Sequence, residues 1–149
     1  MKLLAVVGVC AFVSLIEARV QSVGVRGTLM CGQKPLNNTV VKLWDEDSFF
    51  DPDDLLACVK TDAQGRFELQ GFEDETTNID PRLKIYTDCN DRTLFGIAPK
   101  PCQRKIKMKI PSSYINSGRT VTRWFDAGIM NMELKQRDEE RKCSIFELC

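Results

Sequence analysis

Apolar side chains recur at every second residue along most of this 149-residue chain, which is the period of β-strands with one buried face. In the first such segment Val23, Val25 and Leu29 share one parity. Arg26 and Thr28 occupy the other parity. Further segments with the strand pattern are 40–44, 55–60, 66–70, 83–89, 103–110 and 127–134. The pattern predicts an all-β fold, an antiparallel β-sandwich of about seven strands.

Two local signals interrupt the strand pattern. Asp62-Ala63-Gln64-Gly65 separates two strand segments and predicts a hairpin turn, with Gly65 available for positive φ. Residues 112–117 lie between a proline and a glycine and predict one short helical turn.

The chain opens with a segment that has the form of a signal peptide. Lys2 supplies a positive charge, the next residues are nearly all apolar, and Ala18 supplies the small residue of a cleavage site. The apolar run is shorter than a membrane-spanning helix needs. We therefore expect a secreted, extracellular protein without a transmembrane segment. In it residues 1–18 are removed, 19–143 form the sandwich domain and 144–149 form a C-terminal tail.

Cysteine usage agrees with an oxidising compartment. Removal of the leader takes Cys10 with it and leaves six cysteines. An even number in a secreted chain predicts structural disulfides, although the sequence does not choose among the possible pairings. None of the six stands in a Cys-x-x-Cys pair, so zinc and redox functions are disfavoured.

The chain contains no histidine, which restricts its chemistry. Serine and cysteine nucleophiles that depend on an imidazole are excluded, as are His-ligated zinc sites. The formal net charge is zero, so no general attraction to nucleic acid is expected. These features favour a binding protein over an enzyme, with no cofactor and no metal.

Several sequence blocks, in order along the chain, resemble the nematode transthyretin-like family. They include Ser22-Val23-Gly24-Val25-Arg26-Gly27, Cys31-Gly32-Gln33-Lys34-Pro35-Leu36, Asp51-Pro52-Asp53-Asp54-Leu55-Leu56, Ile79-Asp80-Pro81, Asp88-Cys89-Asn90 and Pro101-Cys102-Gln103-Arg104-Lys105. The resemblance implies a secreted, single-domain, transthyretin-like sandwich that acts as an extracellular carrier or adaptor. One member of this family looks like a bridging factor between phosphatidylserine on dying cells and a phagocyte receptor. A related branch hydrolyses 5-hydroxyisourate with histidines, which this chain lacks.

Compared with the family pattern, Cys58 and Cys149 are additional cysteines, and the resemblance implies that they form one extra bridge. Cys89 and Cys102 bracket a single loop, which favours a bridge between them. The predicted pairing is Cys58–Cys149, Cys89–Cys102 and Cys31–Cys143. The alternative leaves Cys149 free for an intermolecular disulfide.

Lys105, Lys107 and Lys109 alternate with apolar residues, and a period of two places all three on one strand face. One interpretation is a solvated face whose lysines protect a sheet edge from aggregation. The other is a positive patch that contacts anionic lipid headgroups or an acidic partner. Arg104 falls on the apolar parity, and we expect it to reach solvent at the start of the strand.

Two further segments carry candidate sites. Residues 45–54 contain six carboxylates around Phe49 and Phe50. They are interpreted either as a calcium site with an aromatic tip or as a solvated connection whose phenylalanines pack on the sandwich. Asn37-Asn38-Thr39 is an N-glycosylation sequon in a turn, which makes Asn37 a candidate modification site.

The sequence therefore predicts an extracellular binding or adaptor protein. The first hypothesis is recognition of a lipophilic ligand or anionic phospholipid through Lys105, Lys107 and Lys109, bridged to a cell-surface partner. The alternative is a protein-interaction module that binds a receptor or host protein without lipid affinity. The oligomeric state is left open.

Overall fold

A computed structural model describes residues 18–46, 52–91, 102–143 and 149 of the chain. Its elements are β1 (Arg19–Cys31), β2 (Lys34–Pro35), β3 (Val40–Asp45), β4 (Asp54–Lys60), β5 (Arg66–Glu75), β6 (Pro81–Thr87), β7 (Gln103–Lys109), the 3-10 turn η1 (Ser112–Tyr114), β8 (Asn116–Ser117), β9 (Trp124–Asn131) and β10 (Glu140–Lys142). The predicted all-β fold is confirmed, and the predicted helical turn is a single 3-10 turn followed by a short strand.

The strands form two sheets. In sheet A the long strand β1 is central, with β5 antiparallel along one edge and β8 and β9 along the other. Strand β2 pairs with the end of β1, along the same edge of β1 as β5. Sheet B has the antiparallel order β10-β7-β6-β3-β4. Strand β9 runs parallel to β1, an exception to the predicted antiparallel pattern, because the chain reverses direction between β8 and β9.

The core lies between the inner faces of the two sheets. Alternate residues of each strand face inward, which buries the apolar parity found in the sequence. The fully buried apolar side chains of the described residues include Val23, Val25, Leu29, Val41, Leu43, Leu83, Ile85 and Ile110. No helix of the described residues is long and apolar enough to cross a membrane.

Three disulfides link elements within the described part of the chain. Cys58–Cys149 is present as predicted. The other two predicted pairs are wrong, because the structure contains Cys31–Cys89 and Cys102–Cys143. Cys89 is buried after β6, where it meets Cys31 at the end of β1 and ties sheet B to sheet A.

The remaining bridge follows from strand pairing within sheet B. Gln103 of β7 is in register with Lys142 of β10, so the next residues outward, Cys102 and Cys143, lie opposite each other. Residues that bracket a loop are not thereby brought together, and strand register decides the pairing.

The expectation that Arg104 reaches solvent is also wrong. Its guanidinium is buried on the inner face of β7, where it donates to the carbonyl oxygens of Cys89 at 2.6 Å, Met132 at 2.6 Å and Leu134 at 3.1 Å. It also pairs with the Glu139 carboxylate. A buried charge with this many partners fixes the segment after β9 against sheet B.

Candidate binding surfaces

The three lysines of the predicted patch lie on the outer face of sheet B, on the parity opposite to buried Ile106. Strand pairing adds cations that sequence reasoning did not place there. Lys42 of β3 is in register with Lys84 of β6, and Lys84 is in register with Lys107 of β7. Like charges directly opposite on neighbouring strands repel one another, so this row requires counterions.

Carboxylates provide counterions for the three lysines of the predicted patch. Lys105 and Lys107 both pair with Glu140, at 3.6 and 3.2 Å between Nζ and a carboxylate oxygen, and Lys109 pairs with Asp80 at 2.9 Å. The three lysine side chains are 13%, 32% and 59% exposed, respectively. The patch is therefore part of an ion-pair network, and its available positive charge is smaller than the sequence pattern predicts.

The ionisation of these groups reflects the network. The hydrogen bond from Lys107 lowers the pKa of Glu140, and its charge acts in the same direction. Burial opposes ionisation of Asp80, but Lys109 and Arg82 outweigh it and the pKa of Asp80 is lowered. Burial lowers the pKa of Lys105, as does the neighbouring charge of Lys107.

The acidic segment 45–54 also provides ion-pair partners for sheet B. Lys84, whose side chain is only 5% exposed, pairs with Glu46 at 2.9 Å and Asp53 at 3.1 Å. Asp45 is buried and accepts a hydrogen bond from the backbone N–H of Asp80. These carboxylates thus have protein partners, and no metal-binding cluster occurs in the described part of the chain. Residues 47–51, with Phe49 and Phe50, lie outside the described residues.

A different surface is open on the outer face of sheet A. A groove of about 480 Å³ runs across β1, β5 and β9 and ends at the turn before β5. On its β9 side stands Ile129, which is 78% exposed. Beside it, Arg26 pairs with Asp126 of β9 at 3.2 Å and faces Glu68 of β5 in register. The groove therefore combines an exposed apolar side chain with accessible charges of both signs.

Gly27 and Gly128 contribute to the lining of this groove. A Cβ on Gly27 would lie 3.0 Å from Cζ of Phe67 and 3.1 Å from the carbonyl oxygen of Gly128, so a side chain there would crowd its neighbours. The register of β1 and β9 shifts at this point, and Gly128 takes a φ of 65°. Asp126 accepts the N–H of Gly128 at 2.9 Å, and that bond, with a smaller contribution from Arg26, lowers the pKa of the Asp126 carboxyl.

The hairpin turn at the end of the groove is also held in place by hydrogen bonds. Asp62 accepts hydrogen bonds from the backbone N–H groups of Gln64 at 2.9 Å and Arg66 at 2.8 Å. The Arg66 side chain returns to the same carboxylate at 3.0 Å. These bonds fix the hairpin turn that the sequence predicted and keep the Arg66 guanidinium at the groove.

The same face continues over the loop between β8 and β9. Asn116 is buried, and its side chain contacts the backbone of Ser22, Tyr114, Thr122 and Arg123, which holds this loop in place. The loop places the guanidinium carbon of Arg119 over the ring of Phe72, 4.7 Å from its centroid. The ring of Trp124 packs over Gly24 on this face.

Sequence reasoning missed the sheet A surface. The alternating pattern placed Arg26 and Thr28 on the parity opposite to the buried residues but did not show which side chains of other strands lie beside them. One signal was present: Ile129 is an apolar residue on the polar parity of its strand and follows a glycine. Asn37 was also identified from sequence, and the structure places it in the exposed turn between β2 and β3.

The geometry defines a disulfide-linked, two-sheet β-sandwich with an open outer face. Comparison with known protein families identifies the family to which this fold belongs. The transthyretin-like family matches residues 26–111. The chain belongs to the transthyretin-like family.

Two relatives come from Caenorhabditis elegans. Transthyretin-like protein 5 is 48% identical over 143 residues, which covers 96% of this chain and 99% of the relative. Transthyretin-like protein 33 is 48% identical over 123 residues, covering 83% of this chain and 82% of the relative. Among solved structures, a 9R-lipoxygenase from Cyanothece aligns with a TM-score of 0.41 and 24% identity, over 83% of this chain and 18% of the lipoxygenase chain. That likeness carries no functional conclusion.

Proposed function

We propose that this chain is a secreted, extracellular binding protein that acts without catalysis and recognises another protein through the outer face of sheet A. The observation that carries the proposal is the exposed side chain of Ile129 beside the Arg26–Asp126 ion pair in an open groove. Protein-binding surfaces typically have an apolar centre with a polar rim and are enriched in arginine and aromatic residues. Phe72 and Arg119 extend this composition along the same face.

Secretion is part of the proposal. The three disulfides and the membership of the transthyretin-like family are consistent with an oxidising, extracellular location. The form of the leader supports the same location.

The ion pairs on sheet B argue against the phospholipid hypothesis in its original form. A lysine near an anionic membrane contributes about 1 kcal/mol of binding free energy. Lys105, Lys107 and Lys109 already face Glu140 or Asp80, so a membrane would have to compete with these carboxylates. Recognition through the exposed apolar side chain of Ile129 on sheet A does not itself require an ion pair to be broken.

Saturation binding of the labelled, oxidised protein to intact nematode cells tests the proposal, with and without prior proteolysis of the cell surface. We expect saturable binding that proteolysis abolishes and that Ile129→Asp weakens at least tenfold. Leu134→Asp is the matched control, because Leu134 is an exposed apolar residue outside the groove. Cells of Caenorhabditis elegans are suitable because the relatives occur there.

A parallel measurement with vesicles separates the two hypotheses. The protein is sedimented with phosphatidylserine or phosphatidylcholine vesicles, with and without calcium. Selective binding to phosphatidylserine would contradict the proposal if Ile129→Asp preserves it and simultaneous replacement of Lys105, Lys107 and Lys109 by glutamate removes it.

A further inference from the structure

The sequence contains one N-glycosylation sequon, Asn37-Asn38-Thr39, and the structure shows how its three residues differ. Asn37 and Asn38 are exposed, whereas Thr39 is buried. The segment connects β2 of sheet A to β3 of sheet B at one end of the sandwich. An oligosaccharide on Asn37 would therefore extend into solvent without disturbing the core.

The backbone on both sides of Asn37 is held in place. The N–H of Leu36 donates to the carbonyl of Leu29 at 2.9 Å, and the N–H of Asn38 donates to the carbonyl of Thr61 at 3.0 Å. The Thr61 hydroxyl donates to the carbonyl of Leu36 at 2.5 Å. Asn38 has a φ of 56°, a conformation that asparagine and aspartate tolerate better than most residues. Asn37 is thus displayed from a fixed turn.

The burial of Thr39 bears on whether glycosylation occurs before or after folding. The backbone N–H of Thr39 donates to the Thr61 hydroxyl at 2.9 Å, and its carbonyl accepts the Thr61 N–H at 3.0 Å. A transferase that reads the sequon must reach Thr39, and the folded sandwich denies that access. Glycosylation of Asn37 therefore has to occur before the segment that leads into β3 packs against Thr61.

We propose that Asn37 carries an N-linked oligosaccharide, added before the sandwich closes; this rests on the secretion included in the proposed function. The donor class is a lipid pyrophosphate-linked oligosaccharide. The amide nitrogen of Asn37 forms a bond to the anomeric carbon, the bond from that carbon to the pyrophosphate oxygen breaks with its electron pair left on oxygen, and a base of the transferase takes one proton from the amide. The lipid pyrophosphate is the leaving group.

The position of the glycan also bears on recognition. The N–H of Leu36, adjacent to Asn37, donates to the carbonyl of Leu29 in β1. The N–H of Leu29 in turn donates to the carbonyl of Gly65, at the end of the hairpin turn. Asp62 of that turn lines the sheet A groove. The glycan therefore stands at the turn end of the sandwich, next to the groove and away from the loop that carries Arg119.

The test is expression of the full chain, with its leader, in a eukaryotic secretory cell, followed by peptide N-glycosidase treatment of medium and lysate. We expect a single mass decrease, with the released Asn37 side chain recovered as a carboxylate by peptide mass spectrometry. Asn37→Gln removes the shift, and Asn38→Asp, which retains the sequon and suits the positive φ, preserves it. Replacement of Thr39 is avoided because that residue is buried.

The outcomes separate the two proposals. Secreted protein without a glycosidase-sensitive mass would overturn the glycan and leave the proposed function intact. Unmodified chain confined to the cytosol would overturn both. A second measurement tests whether glycosylation precedes folding. A purified oligosaccharyltransferase should modify the reduced, unfolded chain and leave the refolded, oxidised protein unmodified. Equal modification of both forms would refute that order.

Discussion

The guanidinium of Arg104 donates to both carboxylate oxygens of Glu139, at 3.2 Å from Nε and at 2.7 Å from the terminal nitrogen. The pair joins the inner face of β7 to the segment between β9 and β10, and the arginine is 5% exposed. Bidentate geometry in a partly buried setting makes this one of the stronger polar contacts in the sandwich.

Removing the carboxylate should therefore be costly. Glu139→Gln leaves a buried guanidinium without its counter-charge, and we expect a loss of about 3 kcal/mol in the free energy of unfolding. Urea denaturation of the oxidised protein measures this loss. Asp138→Asn is the matched control, since Asp138 is exposed and adjacent. Equal stability of the two variants would show that the pair contributes little.

Acid should destabilise the protein through a defined set of carboxyls. The hydrogen bond from Arg104 lowers the pKa of Glu139, and Lys107 lowers that of Glu140. Each group binds a proton less readily when folded, so the unfolded state takes up more protons and stability rises with pH. The contribution is complete above the ordinary carboxyl pKa and is lost as the pH falls through the lowered, folded values. We expect denaturation midpoints to decline below about pH 5, with a shallower decline in Glu139→Gln.

Two glycines mark close approaches of different kinds. A Cβ on Gly71 would lie 2.6 Å from the carbonyl oxygen of Leu56, whereas one on Gly24 would lie 2.7 Å from the ring of Trp124. Backbone of β4 moves less easily than a half-buried side chain, so Gly71→Ala should destabilise more, by about 1–3 kcal/mol. Gly24→Ala should displace the Trp124 ring and change its fluorescence. Unchanged emission together with unchanged stability would contradict the packing on sheet A.

The bridges Cys31–Cys89 and Cys58–Cys149 should differ in their contribution to stability. Loop closure alone predicts about 4–5 kcal/mol for each, because the residues they join are 58 and 91 positions apart. Cys89 is buried in the core, so Cys31→Ala with Cys89→Ala also loses packing and should lower the thermal midpoint more than Cys58→Ala with Cys149→Ala. Non-reducing peptide mapping checks the connectivity first. A peptide that joins Cys89 to Cys102 would overturn the structural pairing.

The strands were predictable because alternation reports local burial, and local burial fixes each strand without reference to its partners. Their register was not predictable. Lys42, Lys84 and Lys107 lie on three strands that are distant in sequence, and only the pairing of β3, β6 and β7 brings them together. The same limit explains the two wrong disulfides.

The candidate binding surface could not be predicted from the sequence, because it depends on features that the alternating apolar pattern does not show. A one-residue shift between β1 and β9 and the positive φ of Gly128 expose Ile129 on the groove. Arg104 was misassigned for the opposite reason, because its burial depends on carbonyl groups contributed by the chain near Cys89 and Met132.

The parallel pairing of β1 with β9 has a consequence for biosynthesis. Arg26 and Asp126, which pair across these strands, are separated by 100 residues of sequence. Contacts between such distant segments form slowly, since a long loop must close before they contribute. While the chain is being made, one edge of β1 stays uncovered until β9 leaves the ribosome. A nascent chain that stops short of β9 will therefore lack the groove and should require protection of that edge from aggregation.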